Sequence, residues 1–427
     1  MNKLKSRTLP SIFIVILLML NGFISFGQDS LQYVALTHGE QKEIDQENFK
    51  AIDRYFDDVK IAGLGESTHG TSEFHTFRAK LFKYLVKNKG FNTLFLEADY
   101  ADCIAISDYV AGEVVNIREA MKELYWPWQT EELLSLIEWM RVYNKGKEKS
   151  YQLQFIGIDG QWSDYAEKEL NKLLVANDKK PLDSTEYPLL SMYEFSDLRK
   201  RAAKRRLKYI REFKQHDISY LSEADQQKFH FLIQNIEQAL EGRIVKCGAF
   251  RDTMMGQNML ERIKLQPQTK AIFWAHNWHV FNVLGDYDKR RNEQHGMAGG
   301  ILKKELDDQY VSIIQDFDYG SFTAYHKIND SKKMKLENYE LGAVEIEKSI
   351  SGTYGERLRG IKEETIFIDL DKNDPKIATY KNHTIGASFS PEKNNKKQTS
   401  QYNYCPTRCN DAVVFTKKST PIQLIDE

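Results

Sequence analysis

The sequence predicts an α/β fold with a largely parallel central sheet flanked by helices and an α-helical insertion. Three observations predict it. Seven short apolar, β-rich runs recur along the 427 residues. Amphipathic helical stretches lie between most of them, and one long charged stretch holds no good strand.

The first residues stand apart from this pattern. Lys3, Lys5 and Arg7 precede the apolar run "IFIVILLML", and the small residues Ser25 and Gly27 follow it. This is the pattern of a secretory signal peptide spanning 1–27 and cut after Gly27. The run is shorter than the ~20 residues of a spanning helix. The expectation is therefore an exported protein, periplasmic or secreted, with no stable membrane anchor once the leader is removed. The net charge of −1 gives no field that would attract nucleic acid.

The expected strands are "VKIAGLGE" (59–66), "NTLFLEA" (92–98), "LQFIGID" (153–159), "AIFWAH" (271–276), "YVSIIQDF" (310–317), "ETIFIDL" (364–370) and "DAVVFTKK" (411–418). Their nearly continuous apolar character suits strands covered on both faces. Helical periodicity marks 71–88, with Phe74, Phe77, Leu81, Phe82 and Leu85 on one stripe, and 129–144, with Leu133, Leu136, Ile137 and Met140. The strandless stretch 162–268 is the insertion, dividing the core into a first part, 28–161, and a second part, 269–427. Within it, nine basic residues fall between Arg199 and Lys214. A solvated helix face explains them better than an anionic ligand, given the acidic residues nearby. The polar stretch 390–410 reads as a long surface loop. Of the four cysteines, Cys103 and Cys247 sit in apolar contexts suited to core thiols, while Cys405 and Cys409 could close a small loop in an oxidising compartment.

The chemistry-bearing residues gather where strands end. Glu66, Glu97, Asp159 and His276 close four of the runs, and parallel sheets bind ligands beyond the carboxyl ends of their strands. The loop "GLGESTHGTSEFH" adds His69 three residues past Glu66. A serine-hydrolase elbow needs G-x-S-x-G. Here the glycines flank four residues, Glu66 to His69, so Ser67 is one position out of place. Ser67 and Thr68 are expected to bond the turn or cap the following helix. Arg78 falls within the apolar stripe of that helix and needs a carboxylate partner or a ligand. In "WAHNWH", His279 joins His276. Two histidines with two carboxylates suit general acid–base chemistry or a metal site, although HExxH is absent. Arg251 could bind substrate, and Asp252 beside it fits a helix N-cap. Trp126 and Trp128, around Pro127, could wall a substrate pocket with Asp159. No role is evident for His75.

Six segments in order, "GLGESTHGTSEF", "FNTLFLEAD", "YWPWQTEELLSLIEWMRVYN", "FIGIDG", "RDTMMGQN" and "WAHNWHV", make the chain similar to the erythromycin esterase-like family over most of its mature length. The resemblance implies an α/β core with a helical insertion and a cleft at the strand ends. It also implies that His69 is the essential base, activating water to attack an ester or lactone carbonyl without a covalent serine intermediate. Glu66 would be its loop carboxylate, with Arg78, Glu97, His276 and His279 completing the site. The implied partner is a small-molecule ester or a macrolide, with antibiotic inactivation as the strong version, and no cofactor is implied. Related haem-binding and metallopeptidase groups share a similar Glu–His loop, so a metal- or haem-binding protein or a metallohydrolase is the alternative. The proven antibiotic-hydrolysing members lack the "WPWQTEE" segment in this form, which places the chain with the broader branch of the family.

Overall fold

The structure, a computed structural model, describes residues 31–37, 46–182, 200–245, 248–288, 293–328, 338–373, 375–389, 402–403 and 408–425. The leader, Cys247, Cys405 and most of the polar stretch 390–410 lie outside the described residues. Among those described, no helix is long and apolar enough to cross a membrane.

Ten strands form one sheet: β1 (Val34–Ala35), β2 (Ile61–Leu64), β3 (Thr93–Asp99), β4 (Gln154–Asp159), β5 (Ala271–Trp274), β6 (Tyr310–Lys327), β7 (Tyr339–Ile346), β8 (Thr365–Asp369), β9 (Ser388–Phe389) and β10 (Ala412–Ser419). The order is β1-β8-β10-β6-β2-β5-β3-β4, with β7 and β9 also paired to β6. The five strands from β6 to β4 run parallel, and β10 joins β6 in the same sense. Strands β8, β1 and β7 attach antiparallel. All seven expected runs lie on strands of this sheet, and the fold class is the expected one. Strands β1, β7 and β9 were not anticipated: two are two-residue pairings, and the third is a half-exposed edge strand.

Both faces of the sheet are buried, which is why its strands are apolar throughout. On β3, Leu94 and Leu96 enter one cluster with Leu81, Phe82, Leu136 and Ile137, while Phe95 points into the opposite cluster with Phe273, Met255 and Met259. Helices α1 (Ser72–Lys89), α2 (Ile104–Ala111) and α3 (Glu131–Asn144) supply much of the first face. After β4 come α4 (Asp164–Ala176), α5 (Lys200–Phe213), α6 (Glu223–Val245) and α7 (Gly248–Leu265). The first three share their own core around Leu170, Leu207 and Ile236, whereas α7 sends Met255 and Met259 into the sheet's core. The basic stretch is α5. Its Ala203, Leu207 and Ile210 face inward, buried Arg206 pairs with Glu167, and most of its other cations are exposed. Cys103 is a buried free thiol, and Cys409 is disulfide-bonded.

Two local features set the site. The register of β3 on β4 shifts between Leu96 and Asp99, a bulge that re-aims Glu97. Gly157 makes it possible, because a Cβ there would lie 2.4 Å from the Asp99 carbonyl oxygen. After β5 the chain turns into the short helix α8 (Asn277–Val280). The Asn277 backbone N–H donates to the Glu66 carbonyl at 2.8 Å, and its side chain bridges the Gln315 carbonyl at 2.9 Å and the Gln315 N–H at 3.2 Å. The Gln315 side chain in turn donates to the Gly65 carbonyl at 2.8 Å. This buried amide lock ties the ends of β2 and β5 to the body of β6. Asn277→Leu strips the partners from two buried backbone groups. Each orphaned group is expected to cost about 1–3 kcal/mol, seen as a lowered urea midpoint with an unchanged slope.

Candidate active site

Glu66 lies two residues past the end of β2 and is fully buried. Its Oε1 is 2.6 Å from His69 Nδ1, and its Oε2 pairs with the guanidinium of Arg78. Arg78 is as deeply buried, donates from Nε to the Phe74 carbonyl at 3.2 Å, and lies 4.2 Å over the Trp274 ring. Burial alone would push the Glu66 carboxyl up, but Arg78 and then the His69 hydrogen bond outweigh it and hold it down at about 2. Glu66 is therefore an acceptor only, and His69 Nδ1 must carry the hydrogen it donates. That leaves His69 Nε2 as the open ring nitrogen, on a side chain that keeps 12% of its surface exposed.

Ser67 is fully buried, and its hydroxyl has no hydrogen-bond partner among the described residues. It neither faces a base nor bonds the turn. Thr68 does bond the turn, meeting Thr71 Oγ1 at 2.7 Å. The loop is also held from outside: the His69 N–H donates to the Gly386 carbonyl at 3.3 Å, and the Ile385 N–H to the Ser67 carbonyl at 2.9 Å. Sequence reasoning missed this 385–386 strut, which follows a distant strand pairing and carries no chemical signature.

The second half of the site is built around Glu97. Its Oε1 accepts from Arg251 Nη2 at 2.9 Å and from His279 Nε2 at 3.0 Å, and its Oε2 accepts the His276 backbone N–H at 2.9 Å. His279 Nδ1 meets Asp252 Oδ1 at 2.6 Å. Asp252 is thus not an N-cap: it is the fifth residue of α7, and it faces His279 and the Ala298 N–H. Burial opposes a charged His279, but Asp252 and Glu97 overcome it and raise its pKa to about 10. Burial would raise Glu97, yet His279 and Arg251 hold it well below the usual carboxylate range. Asp159 takes a bidentate grip from Arg251, with Nε 2.9 Å from Oδ2. Asp159 is buried, while Arg251 keeps 29% of its side chain exposed.

His276 joins the two halves. Its ring lies 5.4 Å from that of His69 and 6.3 Å from that of His279. Nδ1 accepts the Trp278 N–H at 3.2 Å, so the hydrogen of the neutral ring sits on Nε2, which is buried without a described partner. Burial, then His69 and His279, push its pKa down to about 3 and keep it neutral. Trp128 packs edge-on to His69 at 5.8 Å and donates Nε1–H to the Glu97 carbonyl at 3.0 Å. It is a buried backing wall. Trp126 packs on Tyr125 and Tyr325 instead, and no described contact links it to the histidines. Among the described residues, no group of three histidine, cysteine or acidic side chains is arranged to hold a metal ion.

The site thus sets a carboxylate-oriented histidine with an open nitrogen beside a neutral histidine with an unspent N–H. The chain belongs to the erythromycin esterase family, whose description, Erythromycin esterase, matches residues 86–419. That span begins beyond Glu66, His69 and Arg78, which the geometry supplies. Erythromycin esterase type II of Escherichia coli is 26% identical over 349 residues, covering 72% of this chain and 81% of that one. A solved structure described as a succinoglycan biosynthesis protein shares the fold with a TM-score of 0.71 at 20% identity, covering 92% of this chain and 96% of that one. A mutant of the erythromycin esterase EreC in its open conformation shares it with a TM-score of 0.60 at 17% identity, covering 90% and 97%.

The charge states make opposite predictions at the two ends of the pH scale. Glu66, at about 2 when folded against an ordinary 4.5, contributes stability present above pH 4.5 and lost as pH falls toward 2. His279, at about 10 against an ordinary 6.5, contributes stability fully present below 6.5 and lost as pH rises toward 10. His279→Gln is therefore expected to flatten the alkaline decline of Tm across that window and to weaken the Glu97 share of the acid limb, leaving the Glu66 share in place, as read by thermal melts across pH.

Proposed function

We propose that this chain is an exported hydrolase that cleaves an ester or macrolactone by histidine-activated water, with no serine nucleophile. The observation that carries the reading is the buried Glu66–His69 pair, with Nδ1 spent on the carboxylate and Nε2 open. His69 Nε2 takes a proton from water, and the resulting hydroxide attacks the carbonyl carbon. Glu66 stabilises the imidazolium that forms. His276 offers its Nε2–H to the carbonyl oxygen as negative charge develops there. Collapse of the tetrahedral intermediate breaks the bond to the leaving oxygen, which recovers the proton from His69. The products are an acid and an alcohol, and the base is restored.

The geometry separates residues that composition treats alike. Both nitrogens of His279 are engaged by carboxylates, so it supports Glu97 and the His276 turn rather than meeting substrate. Arg78 is spent on Glu66 and the Trp274 face, so it stabilises the carboxylate rather than an oxyanion. Arg251 is paired with Asp159 and Glu97 but stays partly exposed, so its outward edge is where a substrate's polar groups can meet it. Macrolide inactivation is the strong version of the proposal. It is supported by the family and by the name of the Escherichia coli relative.

A mass-spectrometric screen of macrolides with 14- and 16-membered rings, beside simple esters, tests the reading. A water adduct on a macrolide supports the strong version, and hydrolysis of simple esters alone supports the general one. His69→Ala is expected to lower kcat by roughly 10²–10⁴-fold, while Ser67→Ala keeps most of the activity. Near-normal turnover by His69→Ala on a proven substrate would refute the mechanism. Activity that survives exhaustive chelation is also expected, and a chelator-sensitive enzyme with stoichiometric metal would favour the metallohydrolase alternative.

A further inference from the structure

We infer that His75 is a positioning residue that holds the seat of the base: its Nε2–H bonds the backbone carbonyl of His69. The inference rests on the hydrolytic reading for its consequence, though not for its geometry. His75 lies on the first turn of α1, and its side chain is fully buried. Its Nε2 is 3.1 Å from the His69 carbonyl oxygen. A carbonyl only accepts, so Nε2 carries the hydrogen. The same nitrogen is 3.6 Å from Glu66 Oε2, close enough to add a weaker pull on the carboxylate that orients His69. The ring is packed edge-on to Trp274 at 5.3 Å and tilted against Trp128 at 6.1 Å.

A buried imidazole here is a specific choice. An apolar residue of similar size would fill the space between Trp128 and Trp274, but would leave the His69 carbonyl without this donor. Nδ1 is buried with no partner among the described residues, as a bare lone pair in an aromatic box would be. Burial keeps the ring neutral, its pKa pushed down to about 3 despite the attraction of Glu66. No second cation therefore sits beside Arg78 to compete with His69 for Glu66. The His69 backbone is clamped from two sides, its N–H by the Gly386 carbonyl and its carbonyl by His75. Releasing one clamp lets the loop carrying the base drift. Displacements on the order of 1 Å at a reacting group reduce rates by about 10²-fold.

The test compares His75→Leu, which keeps apolar volume, with His75→Gln, whose side-chain N–H reaches a similar point. Turnover of p-nitrophenyl acetate and the nitrogen spectrum of histidine-labelled protein are both read. His75→Leu is expected to lower kcat roughly 10- to 100-fold with KM nearly unchanged, and His75→Gln to recover most of it. In the wild type, the His75 ring should show the neutral Nε2–H form from about pH 5 to about pH 8. The His69 Nδ1–H signal should be sharp in the wild type and broadened in His75→Leu. Full kcat in His75→Leu, no recovery in His75→Gln, or a charged or Nδ1–H ring at position 75 would overturn the inference. If the wild type hydrolyses no ester, the hydrolytic reading fails on its own, and the spectra still decide the placement of His75.

Discussion

The buried Glu66–Arg78 pair is the constraint on which the rest of the site depends. A carboxylate taken wholly out of water is tolerable only with a well-placed cation and its lone pairs filled. Arg78 supplies the cation from α1, Trp274 supplies a ring face for the guanidinium from β5, and His69 fills the remaining oxygen. Because the anion is fixed, the tautomer of His69 is fixed, and with it the direction of its open nitrogen. The sheet enters through the Asn277 lock, which pins the backbone of Glu66 to the end of β5 and to Gln315 within β6.

Around that centre the molecule arranges a second, denser charge cluster. Glu97, Asp159 and Asp252 are paired with Arg251 and His279. Every member has an oppositely charged partner, so its main effect is rigidity: it holds the bulged end of β3, the start of α7 and the His276 turn at one place. His276 then stands between a charged cluster and a dyad, kept neutral and with one hydrogen-bond donor unspent. The two histidines of "WAHNWH" thus differ in charge, one neutral and one cationic, as their surroundings dictate. One faces two carboxylates and the other faces two histidine rings.

Much of this was legible in the sequence because strand ends are legible. Buried parallel strands are apolar along their whole length, so an ionisable residue where such a run stops is conspicuous, and Glu66, Glu97, Asp159 and His276 were found that way. Arg78 was found because a charge within an apolar helical stripe needs a partner. Partnerships across the fold were not readable. Asp252 passes for an N-cap when the start of α7 is judged from local signals, and only the structure turns it toward His279. The tryptophans of "WPW" read alike, yet Trp128 backs His69 and Trp126 packs against Tyr325. The 385–386 strut over the His69 loop has no sequence signal, because its contribution is backbone hydrogen bonds. His75 had no assignable role until its distance to the His69 carbonyl was known.

The central claim is that the nucleophile is water held by a carboxylate-oriented histidine. Intact-protein mass spectrometry during the pre-steady state of hydrolysis of an activated ester in excess, with product release followed in parallel, tests it most directly. The account predicts an unmodified protein mass at every time point and product release without a burst. A transient acyl adduct on Ser67 or any other side chain, appearing with a stoichiometric burst, would contradict it.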